Sequence, residues 1–150
     1  NEQLNSTYIP FGQLGMEKQQ QQIIQDSNAS SYHKANAAER ACFKATSNYL
    51  NASWDLVDAY KNDQSVITNR KNLPKDLADK SAKEITECIN KAQTERTNIQ
   101  QQINNLSQER TKYMEVKRQE MLKQGAQDLQ SSIQQAIQKQ ASRKGFDTGC

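Results

Sequence analysis

At 150 residues the chain carries one domain's worth of material, and its 34% hydrophobic content and mean hydropathy of −1.02 are too low for a thick globular core. A formal net charge of only +3 argues against a disordered polyelectrolyte, and with five Gly and two Pro it points to long helices that bury a narrow stripe. Basic residues cluster no further than adjacent pairs such as Arg70-Lys71 and Lys117-Arg118, which speaks against nucleic acid, and no apolar run approaches the ~20 residues that span a bilayer.

Residues 1–12 contain Pro10 and Gly12, lack periodicity and read as an extended N-terminal arm. From 13 to 26 the chain is a Gln-rich helix with Leu14, Met16, Ile23 and Ile24 as its apolar points. Ser27 to Ser31 then form a cluster of capping and turn residues that ends one helix and starts the next. The clearest pattern lies over 31–62. Ala35, Ala38, Cys42, Ala45, Tyr49, Ala52, Leu56 and Ala59 recur every three and four residues, as in a heptad seam. A bulkier stripe of Phe43, Leu50, Trp54 and Val57 runs beside it, so this helix is expected to have two neighbours.

Residues 62–74 carry turn chemistry and close on Pro74, which suits the first turn of a second long helix over 75–142. Its seam reads Ala82, Ile85, Ile89, Ala92, Arg96, Ile99, Ile103, Leu106, Arg110 and Tyr113; after Lys117 the apolar register shifts to Leu122, Ala126, Leu129, Ile133 and Ala136, with a break expected near Gly125. Arg96 and Arg110 sit where a coiled coil wants apolar side chains. Each either fixes register or snorkels across a neighbour to water. Residues 143–150 read as a flexible tail.

The cysteines, Cys42, Cys88 and Cys150, show no metal-ligand spacing with one another or with His33, so no metal site is expected. A Cys42–Cys88 disulfide is the sharper expectation. It implies an oxidising compartment, periplasmic or secreted, and would place the start of the second helix opposite Asp55. Cys150 is left over. The expected fold is all-α: an elongated antiparallel helical hairpin or three-helix bundle with coiled-coil-like packing, stapled by that one disulfide.

No phosphate loop, nucleophile elbow or zinc-protease motif is present, so no catalytic residue and no cofactor are assigned. Sequons at Asn5, Asn28, Asn51 and Asn105 suit a secreted chain without establishing one. The expected work is protein binding or self-association through helix faces, with Phe43, Leu50, Trp54, Val57, Arg96 and Arg110 as the contact residues; a small-molecule ligand is not expected. In outline alone, a disulfide-pinned helical bundle with a long Gln-rich helix resembles the minor-pilus or accessory subunits of type IV secretion systems. The resemblance implies a cell-envelope assembly component and carries no individual residue. A secreted eukaryotic carrier and a holdase-type periplasmic chaperone are the alternatives.

Overall fold

Helices account for the regular structure of the computed structural model, which describes residues 1–123 and 129–143. The chain divides into two units, residues 1–107 and 108–150.

The first unit begins with a short helix, α1 (Glu2–Asn5), so the N-terminal arm is not extended. Leu4 is fully buried, and Thr7 and Tyr8 lie inside with it. The following residues are held by backbone hydrogen bonds: Phe11 N–H to the Trp54 carbonyl (2.9 Å), Leu56 N–H to that of Ile9 (2.8 Å) and Gly12 N–H to that of Asn72 (2.7 Å). Gly12 makes its turn with φ of +73°, a conformation that L side chains seldom adopt. A Cβ at Gly15 would stand 3.0 Å from the Pro10 carbonyl carbon, so any larger residue there would push the strap away from the next helix.

Helix α2 (Gly15–Tyr32) runs through the Ser27–Ser31 cluster instead of stopping at Asp26. Ser30 and Ser31 donate their hydroxyls to the carbonyls of Asp26 and Asn28, which lets serine sit inside the helix. The break comes at His33, whose extended backbone and Nδ1, accepting from Ala35 N–H at 3.1 Å, cap α3 (Lys34–Lys44). Helix α3 folds back along α2, since Asp26 meets both Arg40 and Lys44 while Gln22 meets Tyr49.

The unbroken helix expected over 31–62 is therefore two helices. After Lys44 the chain makes turns until α4 (Leu56–Asn62). The alanine seam continues through the gap, but Thr46, Asp55 and Asp58, which accepts from the Asn51 N–H at 2.9 Å, redirect the backbone. Thr46 donates to the Phe43 carbonyl (2.8 Å), and Asp55 caps α4 by accepting from Asp58 N–H (3.2 Å). Side chains that compete for backbone groups outweigh an apolar period here. Two short 3₁₀ turns and α5 (Lys75–Ala78) follow, so the expected 75–142 helix has a false start. Helix α6 (Ala82–Lys123) begins instead after Ser81, which forms a reciprocal capping pair with Glu84: Ser81 N–H to the carboxylate at 2.8 Å, Glu84 N–H to the hydroxyl at 3.2 Å.

The core joins Leu56 and Val57 of α4, Ile67, Leu73 and Leu77 of the connection, and Ile85 and Ile89 of α6, with Cys88 and Val66 against its edge. Tyr60 meets Thr86 and Asp55 meets Arg96, so α4 runs antiparallel to α6. This register overturns the staple. Cys42 and Cys88 are free, the first on the α2–α3 hairpin and the second at the core's edge. Asp55 stands opposite Arg96, not opposite the start of the second helix, and ion pairing rather than a covalent link sets the offset.

In the second unit, α6 continues from residue 108 to Lys123 and α7 (Leu129–Arg143) follows. The break expected near Gly125, and Cys150 with the tail, lie outside the described residues.

Candidate functional site

In the first unit the polar groups turn inward. Arg96, 2% exposed, is held by four short contacts. Its Nη1 donates to Asp55 (2.7 Å) and Asp58 (3.0 Å), its Nε to the Thr7 hydroxyl (3.0 Å), and its Nη2 to the Thr7 carbonyl (2.7 Å). The guanidinium lies 4.3 Å from the centroid of the Tyr8 ring, and Trp54 packs on the same tyrosine at 5.3 Å. Asp55 also accepts from the Ile9 N–H (2.9 Å), so a single carboxylate joins the N-terminal strap, the α4 cap and α6. Burial pushes the Asp55 carboxyl up, and Arg96 pulls against it. Burial likewise raises the Tyr8 phenol far above its ordinary value, with the Arg96 charge pulling against it.

A second buried cluster joins α1, α2 and α3. The Lys44 ammonium, fully buried, donates to Asp26 (2.8 Å) and to the Asn5 amide oxygen (2.7 Å). Asn5 donates to Asp26 in turn (2.6 Å), and Arg40 closes on the other carboxylate oxygen. Burial lowers the Lys44 pKa against the pull of Asp26. The Asp26 carboxyl, which burial alone would raise, is brought below its ordinary value by hydrogen bonds from Lys44, Asn5 and Arg40. The Asn5 amide is thus engaged and not presented as a glycan acceptor.

Beside the Arg96 cluster opens a recess of about 510 Å³, lined by Tyr8, Arg96 and Asp58 together with Ala45, Tyr49 and Leu50. Thr97, Gln100 and Asn104 of α6 form one wall. The wall is neutral and hydrogen-bonding, suited to a polar side chain or polar ligand. Among the described residues no three His, Cys, Asp or Glu side chains gather to hold a metal. No described helix is long and apolar enough to cross a membrane.

The expected contact residues separate. Trp54 and Val57 are buried inside the first unit, whereas Phe43 and Leu50 are 55% and 65% exposed. Phe43 rests edge-on against Tyr49. Arg96 is buried and Arg110 is exposed, although both occupy the same heptad position. Sequence reasoning overlooked the Asp26–Lys44 cluster and Thr7. The sequence does place Asp55 and Asp58 one turn apart and close to Trp54, but its spacing shows no pocket that would bury them. In the second unit Tyr113, Met114, Val116 and Met121 of α6 and Ile133 and Ile137 of α7 are all at least half exposed. The charges there pair along the helix, Lys117 with Glu120 (2.7 Å) and Arg118 with Glu115 (3.2 Å).

No family model, curated protein or solved structure matches this chain.

Proposed function

We propose that this chain is a non-catalytic, protein-binding component of a larger assembly, working through its helix faces. One observation carries the reading: α6 exposes Tyr113, Met114, Val116 and Met121 within nine residues, and an apolar surface of that kind marks a contact site. Phe43 and Leu50 add a smaller apolar patch in the first unit. The non-catalytic part rests on saturation, because the donors of Arg96 and Lys44 are engaged by protein groups in a structural geometry.

A periplasmic or secreted setting, and the outline likeness to type IV secretion accessory subunits, belong to the same proposal. Their remaining support is the long Gln-rich helix, since the free thiols withdraw the argument from cysteine. Coiled-coil-like packing is the mode proposed for α6, with the partner supplying the second strand. The carrier reading draws on the 510 Å³ recess alone, and its hydrogen-bonding wall fits a polar rather than a lipid-like cargo.

Site-specific photo-crosslinkers at Phe43, Leu50 and Tyr113, in cells that make the protein naturally, test the proposal. An adduct with a defined polypeptide is expected from Tyr113 and from at least one of the other two. Absence of any protein adduct, with the chain accumulating normally, would overturn it.

A further inference from the structure

The exposed face of α6 in the second unit is self-complementary in one direction only. Arg110 and Lys117 lie at the first core position of successive heptads, and Tyr113 and Glu120 at the second. A parallel pairing with a second copy stacks Arg110 on Arg110, Lys117 on Lys117 and Glu120 on Glu120. Three repulsive layers in two heptads leave such a pair without a core. An antiparallel pairing faces each first position with a second one. With the two-fold axis at the level of Glu115, Arg110 meets Glu120 of the other copy and Lys117 meets Tyr113. At the flanks Glu109 meets Lys123, while Met114 and Val116 each meet their own copies across the axis.

We infer that residues 109–123 of α6 form an antiparallel two-helix contact with a second copy of this chain. The inference rests on the protein-binding reading above and names the partner. Charge complementarity carries it: in this register each charged core or flanking residue named faces an opposite charge or, for Lys117, an aromatic face. Lys117 already lies 5.8 Å from the centroid of its own Tyr113 ring, so the cation–aromatic contact is one this surface makes. Glu120 keeps Lys117 on one carboxylate oxygen and offers the other to Arg110 of the second copy. The apolar gain comes from Met114, Val116 and Met121, all more than half exposed in the single chain. Fifteen residues make a helix of about 22 Å, so the interface is small and association should be weak, with a Kd on the order of 10–100 μM.

Sedimentation equilibrium of the full chain from about 1 to 500 μM reads this directly. The expected result is a monomer–dimer equilibrium above the single-chain mass of 17.1 kDa, weakening about threefold or more as salt rises from 0.05 to 0.5 M. Arg110→Glu and Glu120→Arg should each weaken association about tenfold, and the double exchange should return it to within about threefold of the original chain. Both sites are solvent-exposed, and unchanged far-UV circular dichroism confirms that the three variants fold. A single 17.1 kDa species at every concentration overturns the inference, and so does a double exchange that associates no better than the single ones. A monomer that still gives a hetero-adduct from Tyr113 in cells removes self-pairing and keeps the protein-binding reading.

Discussion

Arg96 and Arg110 occupy the same position of the same seam, two heptads apart on one helix, yet they do opposite things. In the first unit Arg96 is enclosed by Thr7, Asp55 and Asp58, and two separated stretches of chain converge on it. In the second unit Arg110 lies on an exposed face beside Tyr113 and Met114. The difference teaches that a heptad position fixes only which way a side chain leaves the helix. What waits there decides whether the charge becomes a keystone or a contact. Asp26–Lys44 and Asp55–Arg96 in the first unit lock distant segments together, whereas Lys117–Glu120 and Glu115–Arg118 in the second pair neighbours one turn apart.

The sharpest way to break this comparison is to remove both arginines in turn. Arg96→Met leaves Asp55 and Asp58 buried without their counter-charge and frees the Thr7 carbonyl, and should cost about 3–5 kcal/mol. Arg110→Met, at an exposed site, should stay within about 0.5 kcal/mol in the dilute monomer. Urea unfolding of the two variants checks this, and equal effects would dissolve the contrast between the units. Leu4→Ala comes next. Leu4 is fully buried in α1, so truncation should remove about 3 kcal/mol. A near-neutral result would mean that the N-terminal strap is not part of the folded unit.

Much of the fold was legible from the period. The apolar positions of α6 through Ala92 and the helix over α2 follow from spacing and composition, whereas the start of α6 at the Ser81–Glu84 capping pair, seven residues after Pro74, did not. Three further features were not legible. The strap at residues 1–12 has no periodicity, because it is held by single hydrogen bonds to Asp55, Trp54 and Asn72 that depend on residues far away in sequence. The gap over 45–55 kept its alanine period while Thr46, Asp55 and Asp58 turned the chain, a contest between side-chain capping and seam burial that spacing alone does not decide. And the Cys42–Cys88 pairing matched two cysteines where the stronger register signal was charge: Arg96 on the seam of α6, and Asp55 and Asp58 beside the seam residues Leu56 and Ala59. The candidate binding face on α6 was half visible, since Arg110 was singled out and Met114, Val116 and Met121 beside it were not.

A smaller effect, and one that depends on pH, separates the two buried clusters. The folded Asp26 carboxyl lies below its ordinary 3.8, so its contribution is fully present above that value and disappears as pH falls through the lower folded one. Asp55 is shifted the other way, so its contribution is present below 3.8 and lost as pH rises through the folded value. Asp26→Asn isolates the first. The variant should be about 2 kcal/mol less stable than the original chain at pH 7, with Lys44 left buried against a neutral amide. That gap should close as pH drops from about 5 to about 2, while the Asp55 behaviour, shared by both proteins, cancels. A gap that stays constant would show that Asp26 acts through packing alone.

The smallest expected effect tests the cysteines. Cys42 is partly buried on α3 and Cys88 is partly buried beside Ile85 and Ile89, and neither bonds to the other. Each behaves there as a small apolar side chain, so reductant has nothing to break between them. The melting temperature of freshly purified protein should move by less than about 1 °C with and without dithiothreitol, and Cys42 and Cys88 should both alkylate in urea without prior reduction. A loss of several degrees on reduction, with those two thiols blocked beforehand, would restore the covalent staple. It would also require α3 to leave α2, because the Asp26 contacts with Arg40 and Lys44 fix Cys42 on the hairpin, two residues from each partner.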